Sequence, residues 1–196
     1  MPNEIDELNR KANQMEMDWW LHHDLFSFQW WIIVIVNVLF FALLLFYIDR
    51  KRTLKITLAL LFSFIIVGTF DQIGIFFQWW SYPHQFIAFT EQYNAADFFV
   101  VPCIFALIYQ WFAAWRSFLV ANLAASVVIA FIGEPIFVAL GIYKLNNWSY
   151  LKSFLVLFVI AILVKAIVDW IGENKLQVNA DRELTIDFNK SKQKIR

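Results

Sequence analysis

The chain has 196 residues, 61% of them hydrophobic and 19% aromatic, with only 16% charged, and a mean hydropathy of +0.58. A water-soluble domain of this size carries about 25% charged side chains, so the composition excludes a soluble globular domain, a disordered chain, a collagen and a disulfide scaffold. Lys and Arg number 16 and Asp and Glu 16, which leaves zero net charge and no electrostatic footprint for nucleic acid.

Residues 1–27 carry six acids (Glu4, Asp6, Glu7, Glu16, Asp18, Asp24) against Arg10 and Lys11. They have neither a basic n-region nor a small-residue cleavage site, so the first span is expected to stay in the mature chain. Ile5, Leu8, Ala12, Met15 and Trp19 recur near a period of 3.6, which suits an amphipathic helix lying on the membrane surface. A disordered acidic tail is the other reading. His22-His23-Asp24 lacks a second ligand cluster and zinc spacing, so it reads as interfacial decoration; no metal and no cofactor are expected.

Crossing about 30 Å of hydrocarbon takes about 20 apolar residues per helix. Five runs qualify: Trp30 to Ile48, Ile56 to Phe77, Ala95 to Trp115, Phe118 to Tyr143 and Leu151 to Ile171. None alternates with period 2, so residues 28–171 are expected to form an all-α integral membrane bundle of five transmembrane helices. Residues 172–196 turn polar without a strong period and read as a solvated cytoplasmic tail. Arg50, Lys51, Arg52, Lys55, Arg116 and the basic residues of the tail fall on one side, while the loop from Ser81 to Asn94 has no Lys or Arg. The positive-inside rule therefore puts the N-terminus outside and the C-terminus in the cytoplasm, against the dissent of Arg10, Lys11, Lys144 and Lys152.

Ionisable residues within spans cost at least ~2.5 kcal/mol each on insertion scales, so each is a candidate for function. Asp71 lies roughly 9–13 Å below the Trp79-Trp80 belt at ~1.5 Å per residue. Glu134 stands at a similar depth before Tyr143, and Asp97 opens the third span. Gly68, Asp71, Gly74 and Gln78 share one face, and Asn122, Ser126, Ala130 and Glu134 repeat every four residues, so both faces should pack on protein. Pro102 and Pro135 suit helices that bend around a cavity. The resulting outer-half pocket is expected to draw on Asp71, Gln78, Trp80, Tyr82, Asp97, Glu134, Trp148 and Tyr150. Such carboxyls either hold the bundle together or act as acids and proton carriers.

Lys165 and Asp169, one turn apart, read as a snorkelling ion pair. His84 could pair with Glu91 or Asp97. Cys103 has no intrachain partner and is silent on redox compartment. No hydrolase, zincin or Walker motif occurs.

Trp80-Ser81-Tyr82 recurs as Trp148-Ser149-Tyr150, each copy after a span with one acid, so helices two-three and four-five read as a parallel repeat. From Leu54 to Ile171 the chain resembles a family of small multi-pass membrane proteins of spore-forming Gram-positive bacteria that has no established activity. The likeness rests on Trp80-x-Tyr82-Pro83, Phe98-Phe99-x-x-Pro102, the acid of span four, Ile142-Tyr143 and Trp148-x-Tyr150. It implies the fold and a bacterial inner-membrane address. Asp71 to Cys103 alone resembles the membrane-embedded lycopene cyclases, through Asp71-x-x-Gly74, Trp79-Trp80 and Asp97-Phe98-Phe99-Val100-Val101-Pro102. That likeness implies carboxylic acid chemistry on a polyene, although Asn94-Ala95-Ala96 stands where those enzymes carry a proline and paired glutamates.

The leading expectation is a lipid-binding or membrane-complex assembly protein, its partners being the bilayer, a lipid or isoprenoid ligand, or another membrane protein. The alternatives are an intramembrane enzyme acting on an apolar lipid or isoprenoid, and a small proton-coupled transporter.

Overall fold

The computed structural model describes residues 2–88 and 97–194, with side chains over 3–88 and 99–173. Seven α-helices dominate it: α1 (Pro2–Trp19), α2 (Phe28–Tyr47), α3 (Thr53–Phe76), α4 (Asp97–Trp111), α5 (Trp115–Val128), α6 (Glu134–Ala139) and α7 (Tyr150–Lys194). Two strands of two residues, β1 (Trp80–Ser81) and β2 (Lys144–Leu145), complete it. This is an all-α membrane protein. Phe28–Tyr47, Thr53–Phe76, Trp115–Ala139 and Tyr150–Glu173 are each long and apolar enough to cross a bilayer.

α4 is the exception in length. Its 15 residues reach about 22 Å at ~1.5 Å per residue, short of a hydrocarbon core of about 30 Å. The fourth apolar run starts earlier and stops earlier than its sequence suggested. It passes through a π turn at Ile129–Gly133 into α6, immediately before Pro135, whose missing N–H cannot continue the α ladder. α7 does not end at Ile171: it continues through the polar residues to Lys194, a 45-residue helix. No Gly or Pro follows Gly172 before its end, so nothing in that stretch breaks it.

At the N-terminus the amphipathic period does form a helix. Ile5, Leu8, Met15 and Trp19 are exposed along it, and Lys11 pairs with Glu7 at 3.1 Å. A π turn at Trp20–Asp24 and the left-handed Phe26 (φ 64°) lead to Ser27, which caps α2 by accepting the Trp30 N–H at 3.1 Å.

α3 packs on α4 and α7, and α5 packs on the same two helices, so these four close a ring; α2 packs on the outside of α4. Val101, Phe105 and Ile108 of α4, Phe118 of α5 and Leu157, Ile160 and Val164 of α7 fill the middle of the ring. Leu44, Ile56, Cys103, Ala106 and Leu107 join α2, α3 and α4. Hydrocarbon offers no hydrogen bonds, so polar side chains here tie one helix to another. Asn122 Nδ2 donates to the Phe158 carbonyl at 3.0 Å and its Oδ1 accepts from Ser126 at 3.3 Å, both side chains being fully buried. Asn37 Oδ1 accepts the Phe99 N–H at 3.2 Å, which fixes the start of α4 against α2. At the other end Gln110 bonds the Asp49 N–H and the Tyr47 carbonyl, both at 2.8 Å, and Arg52 donates to the Gln110 carbonyl at 3.0 Å. α4 thus starts against the middle of α2 and α3, where the Phe99 ring also meets Phe41 and Phe64 edge-on, and ends at the α2–α3 turn.

Candidate functional site

The site begins with the end of α3. The chain leaves the helix at Phe77, and Gln78 takes a left-handed conformation (φ 54°) that turns the following residues back over it. The Trp80 ring then lies against Gly74. A Cβ at position 74 would stand 1.9 Å from Cζ2 of the Trp80 ring, so only glycine admits it. β1 pairs antiparallel with β2, Trp80 opposite Leu145 and Ser81 opposite Lys144. The N–H groups of Asn146 and Asn147 donate to the Trp79 carbonyl at 2.9 and 3.1 Å. Through this pairing Trp79 stacks on Trp148 (centroids 4.8 Å apart), Trp80 meets Trp148 edge-on at 5.1 Å, and Tyr82 meets Tyr143 at 5.4 Å. The two Trp-Ser-Tyr motifs thus meet in one aromatic cap, although the first lies on a strand and the second leads into α7.

Asp71 sits directly beneath the cap. Its Oδ1 accepts from Trp80 Nε1–H at 3.0 Å and from the Tyr82 hydroxyl at 2.6 Å. These bonds supply in apolar surroundings the solvation a carboxyl would otherwise lose. A cavity of about 60 Å³ lies inside the ring at this level, lined by Phe70, Asp71, Trp80, Tyr82, Glu134, Trp148 and their apolar neighbours. A second cavity, of about 200 Å³, lies outside the ring, between α2 (Val36, Phe40), α4 (Val100, Val101, Ile104) and the α5–α6 helix (Val128, Ile129, Gly133, Glu134, Phe137). Val101, Glu134, Tyr82 and Tyr143 border both spaces. Glu134 Oε2 is out of reach of solvent.

Of the residues expected to form the pocket, Asp71, Trp80, Tyr82, Glu134 and Trp148 come together. The side chain of Asp97, like Glu91, lies outside the described residues. Gln78 is exposed at the turn and does not share a helical face with Asp71, because α3 has already ended. Tyr150 is the first residue of α7 and borders neither cavity. Nothing lies within 4 Å of a Cβ built at Gly68, so close approach on this face is confined to Gly74. Two lining residues were not legible as such: Tyr143, and Ser153, whose Oγ accepts from Trp148 Nε1–H at 3.0 Å. Tyr143 borders the cavities only because β2 folds back on β1, a pairing with no local signal.

Two further charged clusters differ from their expected roles. His84 pairs with Asp24, Nδ1 to Oδ1 at 2.8 Å, while Glu91 and the side chain of Asp97, its expected partners, lie outside the described residues. Asp24 is 1% exposed and also accepts the Gln85 N–H, while Trp20 and Trp30 donate to the carbonyls of Gln85 and Phe86 at 3.1 and 3.0 Å. The segment after the cap is thereby tied to the start of α2. At the opposite end Lys165 does not snorkel: it is 2% exposed. Its Nζ donates to the Ala113 carbonyl and pairs with Asp169, both at 3.0 Å, and lies 4.9–5.2 Å from the ring centroids of Tyr109, Trp115 and Phe118. Tyr109 in turn donates to Asp169 at 2.9 Å. Among the described residues no group of three or more His, Cys, Asp or Glu side chains could hold a metal ion.

Comparison of the chain with family models, with curated proteins and with solved structures finds no match.

Proposed function

We propose that the protein is a lipid-binding protein of the cell membrane, crossing it five times with the N-terminus outside, and that the cap end holds the end of a lipid. The observation that carries this reading is the position of Glu134. It stands in the wall between a space inside the ring and a groove on the ring's outer surface, where α2 and α6 face the bilayer. Neither space reaches the roughly 300–1,000 Å³ that encloses a drug-sized ligand. A lipid inserted only by its end, with its remaining chain left in the bilayer, fits that size.

The chain leaves α3 at the cap and ends α4 at the α2–α3 turn, which supports counting α4 as a fifth crossing despite its length. The basic residues Arg50, Lys51 and Arg52 at that turn support its placement in the cytoplasm. Proton transport draws less support. Phe105, Ile108, Leu157, Ile160 and Val164 lie between the cap end and the Lys165 cluster, with no relay of titratable side chains among those core residues.

The test is mass spectrometry of lipids retained through gentle extraction and purification, comparing wild type with Val101→Phe, which fills the wall common to both spaces. One lipid class enriched over the bulk membrane in wild type and lost from the folded variant is the expected result. Identical lipid profiles would contradict the reading.

A further inference from the structure

The helix before the first span plays no part in the lipid site, and it ends in a fixed joint. Asp24, 1% exposed, pairs with His84 at 2.8 Å and accepts the Gln85 N–H. Trp20 and Trp30 donate their indole N–H groups to the carbonyls of Gln85 and Phe86, at 3.1 and 3.0 Å. The root of α1 is thereby clasped to the start of α2, among Trp20, Trp30 and Trp31. Tryptophans at the mouth of a spanning helix favour the headgroup level of a bilayer, which puts the root of α1 at that level.

From this root α1 does not continue α2. Leu25 leaves the helical conformation and Phe26 is left-handed (φ 64°), so the chain turns between the π turn and Phe28. Nor does α1 suit a crossing of its own, because Glu4, Asp6, Glu7, Arg10, Lys11, Glu16 and Asp18 charge seven of its 18 residues.

At about 100° per residue Ile5, Leu8, Ala12, Met15 and Trp19 share one side of the helix, while Asp6, Arg10, Asn13 and Gln14 fall on the opposite side. The bundle leaves the apolar side bare: Ile5 is 57% exposed, Leu8 66%, Met15 73% and Trp19 53%. Across the joint, exposed apolar residues resume with Phe26, Phe28 and Trp31 and continue down α2 as Ile35 and Val38, where hydrocarbon covers them. The bilayer that covers α2 is therefore within reach of α1.

Charge selects among lipids. Five acids against two bases leave α1 with three net negative charges. Interfacial helices that seek anionic lipid carry Lys and Arg on the polar face, and here the sign is reversed. Burial of the apolar side holds such a helix down, and a negative surface works against it.

We infer that α1 lies in the plane of the leaflet at the cap end, with Ile5, Leu8, Met15 and Trp19 sunk among the headgroups of zwitterionic lipid, and that an anionic surface repels it. This placement is independent of any ligand at Glu134.

Cysteine accessibility on the full chain, one copy per nanodisc, tests it. Single cysteines replace Leu8, Met15, Asn13 or Gln14; Cys103 is fully buried and stays, with wild type as the blank. In phosphatidylcholine, a membrane-impermeant maleimide should react about tenfold more slowly with Leu8→Cys and Met15→Cys than with Asn13→Cys and Gln14→Cys, the factor that burial of one apolar side chain supports. A bimane attached to Met15→Cys should be quenched by lipid carrying a nitroxide at the headgroup. In phosphatidylglycerol the difference should fall to within about twofold, since each like charge near the surface opposes docking by about fivefold, and about 1 M salt should restore it. Equal reaction on both sides of the helix in phosphatidylcholine would overturn the docking. Protection without quenching would overturn it too, by showing that protein covers the stripe. Equal protection in the two lipids would overturn the selectivity for a zwitterionic surface.

Discussion

At the end of the ring nearest the α2–α3 turn Lys165 is buried between the Ala113 carbonyl, Asp169 and three aromatic rings. At the cap end Asp71 is held by two aromatic donors, yet a second carboxyl, Glu134, borders the same cavity, and space opens on both sides of that residue. Both ends place a charge-bearing group among Trp, Tyr and Phe side chains, and at the cap end space opens beside it. A satisfied, close-packed charge fixes helices to one another, as the Lys165 cluster fixes α4, α5 and α7. Carboxyls beside an unfilled volume give up packing energy, which a bound molecule would recover under the lipid-binding proposal.

The comparison can be broken most forcefully at Lys165. Lys165→Ala strands Asp169 and opens a hole within three rings, and should cost about 3 kcal/mol, the low end for removing one partner of a buried pair, since Asp169 keeps some contact with water. Thermal unfolding in detergent would show it as a lowered Tm, with amphiphile binding unchanged in the molecules that remain folded. Gly74→Ala comes next. The new methyl group must displace the Trp80 ring, at a cost of about 2 kcal/mol for overpacking. Because Trp80 carries the bond to Asp71, this substitution should lower Tm and ligand retention together, which separates it from Lys165→Ala. Tyr82→Phe sharpens the contrast with the smallest effect: one hydrogen bond to Asp71 is lost, about 1 kcal/mol. Retention of bound lipid should stay close to wild type, as a titration by native mass spectrometry would record.

The helices were legible in the sequence because long apolar runs bounded by charges and aromatic belts have few other outcomes. The core of the pocket was legible for a related reason: Asp71 and Glu134 stand out against apolar neighbours, and Trp80, Tyr82 and Trp148 mark the same interface. What escaped were contacts made by chain reversals. Gln78 continued the four-residue spacing of Asp71 and Gly74, yet the helix had ended two residues before it, and periodicity alone does not register a left-handed turn. Tyr143 and Ser153 joined the site through pairing of two-residue strands more than sixty positions apart. The Asp24–His84 pair spans a similar separation. Lys165 was read as snorkelling because Asp169 was visible one turn away, while Tyr109, Trp115 and Phe118, which enclose it, come from two other helices.

The central claim is that the cap end binds and the Lys165 end holds. Glu134→Leu and Lys165→Met, each purified beside wild type and measured for both retained amphiphile and Tm, test it most directly. The account predicts opposite patterns: Glu134→Leu loses the bound molecule and keeps its Tm within a few degrees, whereas Lys165→Met lowers Tm and keeps the bound molecule. Loss of ligand from folded Lys165→Met, or full retention by Glu134→Leu, would contradict it.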